Sequence, residues 1–160
     1  MGPVGDYMAS RHEEIRTSIT NAHRDLVAVL DSRTPADMVR LSPNEGWTAK
    51  DTLAHLCSIE SRLRDQVQSV LDGAPYPTSD VNDFNDARVA ERKDWSIDRL
   101  RAELERERSI TLALLDSLTD ADLEREFEHP RRGRIPLAGV WQIIPNHMRA
   151  HIQDIAATKG

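Results

Sequence analysis

The segment PNHMRAHIQDI, residues 145–155, places His147 and His151 four positions apart. On a helix that spacing stacks two imidazoles on one face. Six histidines in 160 residues would give roughly 0.2 such pairs by chance, so a third residue has to decide what the pair does. His55 is that candidate. Three neutral imidazoles around one divalent ion leave a coordination position open, the arrangement of a catalytic rather than a structural metal site. Such an ion lowers the pKa of bound water toward about 7 or holds a thiol as thiolate. The ligand set suits zinc or nickel and does not choose between them. The competing reading is three histidines separately hydrogen-bonded at the edges of their helices.

Glu60 is the other chemically unusual residue. At about 100° per residue it projects close to the centre of an apolar helix face. A carboxylate aimed at a core needs a partner, whether a histidine, a metal-bound water or an arginine. Near a metal it would serve as a proton carrier or orient a ligand; otherwise it escapes to solvent at the helix edge. The remaining ionisable candidates read more plainly. His12 and His23 lie beside the first apolar stripe and are expected exposed or half-buried. His129 precedes a proline in a polar connector and is expected exposed, and Arg131, Arg132 and Arg134 read as a solvated loop. A lone Cys57 excludes an internal disulfide and reads as a small packing residue.

The elements that must position these residues follow from periodicity. Met8, Ile15, Ile19, Ala22, Leu26, Val29 and Leu30 recur at three and four, predicting a first helix over about 6–32. Thr48 and Asp51 form a capping-box pattern that opens a second, with Leu53, Leu56, Leu63, Val67, Val70 and Leu71 as its stripe. Gly73, Pro75 and Pro77 end it. A short helix is expected around Val81–Val89. Ser96 then caps a third long helix of about 23 residues, and a last one spans about 137–158. Pro145, which offers no amide to Trp141, is expected to kink that last helix just ahead of His147.

Four amphipathic helices bury their stripes as an all-α four-helix bundle. In an up-down-up-down order, helices two and four are parallel and His55 lies roughly 5–10 Å from the level of His147 and His151. If residues 72–95 cross the length of the bundle, helices two and three become parallel, helix four opposes helix two, and the levels match. The prediction is therefore up-down-down-up with a short crossover helix between helices two and three, in one domain spanning residues 1–160.

Composition agrees with a helical chain, with 39% hydrophobic, 30% charged and only 4% aromatic residues. A net charge of −6 argues against a nucleic-acid partner. No apolar run reaches membrane-spanning length and the N-terminus lacks signal-peptide features, so a cytoplasmic protein without a membrane partner is expected.

NEGWTAKDTLAHLCSIE, followed about 90 residues later by NHMRAHIQDI, resembles the DinB superfamily, especially the branch that includes the metal-binding domain of mycothiol-dependent maleylpyruvate isomerase. The shared markers are Trp47, Thr48, Asp51, the AHL tripeptide around His55, Glu60, and His147 with His151; NDFNDARVAERKDWS also resembles the segment before the third long helix in that branch. The resemblance implies an up-down-down-up bundle, a three-histidine metal site and a homodimer. It implies one divalent ion as cofactor, with a low-molecular-weight thiol as a second, and a small-molecule substrate. The isomerase carries an additional C-terminal domain, whereas this chain stops at Gly160, which turns the expectation away from isomerase activity. The leading expectation is transfer of a thiol of the mycothiol or bacillithiol class to an electrophile. The alternatives are a metal-dependent hydrolase or lyase using activated water, and a non-catalytic ligand- or partner-binding protein.

Overall fold

The computed structural model describes residues 9–43, 46–77 and 81–158. Its long helices are α1 (Arg11–Asp31), α3 (Ala49–Leu71), α5 (Ile97–Asp116) and α8 (Ile143–Ala156). Short elements join them: α2 (Pro35–Met38), α4 (Val81–Glu91), α6 (Asp120–Glu124), the strands β1 (Glu126–His129) and β2 (Gly133–Pro136), and α7 (Leu137–Trp141). Helix starts are set by side chains that satisfy the free amides of the first turn. Thr48 accepts from the Asp51 amide while Asp51 accepts from the Thr48 amide, at 3.1 and 3.0 Å. Ser96 caps α5 through the Arg99 amide. The first helix begins at Arg11, later than its apolar stripe suggests, because Ser10 and Glu13 close a capping box there; Met8 lies outside the described residues.

Helix direction follows from cross-contacts. Lys50 reaches the Lys93 carbonyl, Cys57 the Leu100 carbonyl and Arg64 the Glu107 carbonyl, each pair 43 positions apart. A constant offset means that α3 and α5 run parallel. Against α1 the sense reverses, since Arg16 meets Asp116, His23 meets Glu105 and Asp31 meets Arg101. One core cluster joins Ala22, Leu26 and Leu30 of α1 to Met148 and Ile155 of α8, and the other joins Ile15 and Ile19 to Trp141 and Ile144. So α1 and α8 are parallel and the order is up-down-down-up, with α4 as the crossover helix. Each fully buried leucine or isoleucine contributes about 1.5–3 kcal/mol. Most of the folding free energy therefore comes from these stripes. Among the described residues no helix is long and apolar enough to cross a membrane.

Three local expectations are corrected. The last helix is two segments, interrupted at Gln142; Pro145 has no amide for the Trp141 carbonyl, and its ring crowds that carbonyl. The connector before it is not merely polar loop. Glu126–His129 and Gly133–Pro136 pair antiparallel, with Gly133 at φ 69°, a left-handed turn conformation that favours glycine. His23, expected at least half-exposed, is 3% exposed and lies 2.7 Å from the Glu105 carboxylate.

Candidate metal centre

Ahead of α3 the Ser42 amide donates to the Trp47 carbonyl at 2.7 Å and the Ala49 amide to the Arg40 carbonyl at 3.1 Å. This sets the Trp47 ring 5.1 Å from the His55 ring, centroid to centroid. His55, in the second turn of α3, is 1% exposed. Because α8 opposes α3, His147 and His151 come to it at the same level. The Nε2 atoms of His55 and His147 lie 2.9 Å apart, and those of His147 and His151 3.1 Å apart. Asp154, one turn further along α8, holds Nδ1 of His151 at 3.0 Å.

Protons alone do not account for this cluster. A ring nitrogen carries either one hydrogen or one lone pair, so Nε2 of His147 cannot make two good hydrogen bonds at once. A single cation satisfies all three lone pairs. For zinc–nitrogen bonds of 2.0–2.1 Å, tetrahedral ligands sit about 3.3 Å apart, and the two observed separations require only a small spreading. The donor atoms all lie within 4.8 Å of one another. Burial pushes His55 down to about 3, with the charges of His147 and His151 adding to the shift. Burial, then His151, pushes His147 down to about 4. Burial also lowers His151, opposed by Asp154. The three rings are thus neutral near pH 7, the state in which imidazole binds metal. The residues present fit a divalent ion. Of the three opposite ring nitrogens only that of His151 has an acceptor, while Nδ1 of His55 and of His147 have no partner among the described residues.

Glu60 sits elsewhere. It is 1% exposed and faces α5, where the Thr111 hydroxyl lies 2.6 Å from its carboxylate. Thr111 also takes a hydrogen bond from Arg64 at 2.9 Å, and Arg64 pairs with Glu107 at 2.6 Å. Burial raises Glu60 to about 7, against the pull of Thr111 and Arg64. Cys57 is buried and pushed up to about 12 by that burial, which keeps it a thiol.

Beside the histidines lies an open cavity of about 300 Å³, with His147 in its wall. Ile59 and Leu63 of α3 and Ile143 of α8 line one side; Tyr76, His129, Arg131 and Arg132 line another. His129 is half-buried, not exposed as expected, because it packs 4.8 Å from Tyr76. Tyr76 in turn stacks on Phe127. Arg125 ties the base of the hairpin to the Leu71 carbonyl at 3.2 Å. The sequence reading assigns none of these residues to a cavity, taking His129, Arg131 and Arg132 as exposed connector and Leu63 as stripe. The alternation Phe127, His129 and Ile135 around Gly133 is the signal that could have found them.

A helical bundle that brings three imidazoles together from two opposed helices defines a fold class with a candidate metal centre. The sequence matches the DinB superfamily over residues 18–155, and the chain belongs to that superfamily. The solved structures it resembles include mycothiol-dependent maleylpyruvate isomerase, at 18% identity and a TM-score of 0.76, covering 94% of this chain and 64% of that one. A histidine-to-alanine mutant of the isomerase gives 17% identity, a TM-score of 0.76 and the same coverage. The four-helix bundle protein TT2238 gives 19% identity and a TM-score of 0.61, covering 89% of this chain and 95% of that one. At these identities the likeness is one of fold, and the chain spans 64% of the isomerase's length. No curated protein matches the sequence.

Proposed function

We propose that this chain is a metal-dependent enzyme transferring a low-molecular-weight thiol, of the mycothiol or bacillithiol class, to an electrophilic small molecule. His55, His147 and His151 hold one divalent ion, zinc or nickel. The observation that carries the reading is the convergence of three neutral Nε2 atoms beside an open cavity. Membership of the DinB superfamily and the fold likeness to a mycothiol-dependent enzyme support the choice of thiol chemistry. A bound ion supplies a Lewis-acidic open position that lowers the pKa of a thiol placed there.

The chain's own residues do the rest. Asp154 fixes the tautomer of His151 by accepting from Nδ1, so that Nε2 keeps its lone pair. Trp47 covers His55 and limits water at that side. Ile59, Leu63 and Ile143 receive the apolar body of the electrophile. In the transfer a sulfur–carbon bond forms as the carbon–leaving-group bond breaks. The thiol proton passes to solvent and the leaving group departs with the electron pair. Glu60, turned toward Thr111, is assigned to joining α3 and α5 rather than to proton transfer.

The test is turnover of a haloaromatic or a bimane with different thiols by metal-loaded protein. Thiol-dependent product above background, abolished by chelation, is expected. Background rates for every thiol and electrophile pair refute the transferase, and metal-dependent ester hydrolysis without thiol transfer would favour water activation instead. The proposal includes a homodimer, which light scattering showing only an 18.1 kDa species at micromolar concentration would exclude.

A further inference from the structure

We propose that the cavity beside His147 selects small organic anions, and that Arg131 and Arg132 at the hairpin tip hold the carboxylate while the α3 and α8 walls take the apolar body. The inference deepens the small-molecule reading of this site and rests on it. Its first support is charge. The chain carries 27 acidic residues and a net charge of −6, yet the cavity lining includes three arginines and no carboxylate. A random sample of this surface would favour acid, so the cationic wall is a local feature.

The second support is pairing. On the same hairpin Arg134 is spent on Glu126, at 2.8 Å, whereas among the described residues neither Arg131 nor Arg132 makes an ion pair. Arg62, the third arginine of the lining, packs over the Phe84 ring at 4.8 Å. The two tip guanidiniums are therefore the ones available to a ligand. The charges of Arg131 and Arg132 are felt at His129, and that of Arg132 at Tyr76, which places both cations at the wall of the cavity.

The third support is geometry. Proline 130 and the left-handed Gly133 make a tight tip, and Tyr76 clamps the hairpin between Phe127 and His129. Two planar guanidiniums on a restrained turn suit a carboxylate, which takes paired N–H donors. Across from the tip, Ile59, Leu63 and Ile143 give the α3 and α8 side an apolar surface beside Gln66, which suits a hydrocarbon body reaching toward His147. An amphiphilic anion fits both walls; a neutral isostere uses only one.

The experiment compares 3-phenylpropionate with 3-phenylpropanamide by amide-resolved NMR titration of the full chain, metal-free and metal-loaded, at low salt. The carboxylate is expected to shift amides around residues 59–66 and 127–133 and to bind about fivefold or more tightly than the amide, a preference that fades with added salt. The Arg131→Gln/Arg132→Gln pair should reduce the preference to within about twofold, and Arg131→Glu/Arg132→Glu should reverse it, with unchanged spectra elsewhere showing that both variants are folded. Equal binding of acid and amide overturns the proposal, as does no binding of the acid at millimolar concentration or a preference that survives both double variants. A preference present only in metal-loaded protein also overturns it, because the carboxylate then sits on the ion, while the metal reading stands. If the chain binds no metal but the arginine-dependent preference persists, the metal reading fails and this one holds.

Discussion

Replacing Glu60 with glutamine isolates the cost of an ionised carboxylate in the α3–α5 seam. In the folded chain Glu60 titrates near about 7, against an ordinary 4.5. Between those values the folded state keeps a proton that the unfolded state has released. Stability therefore falls as pH rises through this window, by about 1.4 kcal/mol per unit, and levels off above the folded value. From about pH 5 to about pH 8 the loss amounts to roughly 3 kcal/mol. Glutamine stays neutral throughout. Its amide can donate to the Thr111 oxygen where a protonated Glu60 would, leaving the Thr111 hydroxyl free to donate to the Glu107 carbonyl, 2.9 Å away. Urea unfolding of both proteins in chelator, at both pH values, gives the comparison. Glu60→Gln should match the parent to within about 1 kcal/mol at the lower pH and exceed it by roughly 3 kcal/mol at the higher one. Histidine titrations are common to both chains and cancel in the difference. A stability difference that does not change with pH would falsify the account, since it would mean that Glu60 titrates where an exposed carboxylate does.

His151→Ala should cut the metal content of purified protein sharply while circular dichroism stays helical, and Asp154→Asn should weaken metal affinity by about 10–100-fold; full metal occupancy in the first variant sinks the shared site. Metal-free protein should also be acid-labile. His55 and His147 titrate near about 3 and about 4 when folded and near 6.5 when unfolded, so the unfolded chain binds the extra protons. Stability is lost as pH falls below 6.5, by roughly 3 kcal/mol per unit from the pair, until the folded values are reached. Flat stability between about pH 6 and pH 5 in urea titrations would contradict this, as would an unchanged slope in the His55→Gln/His147→Gln variant.

The bundle was legible because burial writes itself into sequence at helical spacing. Ile15, Ile19, Leu26, Leu53, Leu56 and Val67 all sit on predicted stripes and are at most 1% exposed, and Thr48 and Ser96 mark two starts by chemistry that needs no tertiary partner. The histidine trio was legible because i and i+4 fix two members and helix level fixes the third. What failed was set by partners distant in sequence. His23 is buried because Glu105, 82 positions away, meets it. Glu60 was placed on the core face correctly, but its partner Thr111 lies 51 positions away, beyond the reach of periodicity. The hairpin escaped because its strands are four residues each, too short for alternation to outweigh a run of charges, and with it went the cavity wall that it builds.

The up-down-down-up order also has a kinetic consequence. Hydrogen-bonded pairs joining α3 to α5, α1 to α5 and α3 to α8 span 43, 82 and 92 residues, whereas an up-and-down bundle draws most of its contacts from helices adjacent in the chain. Long separations must be closed before they are rewarded, and folding slows as mean separation grows. This bundle should fold more slowly than other all-helical domains of its size. The two imidazoles on α8 meet the third only after a separation of 92 residues is closed, so a metal can bind tightly only once α8 has docked on α3.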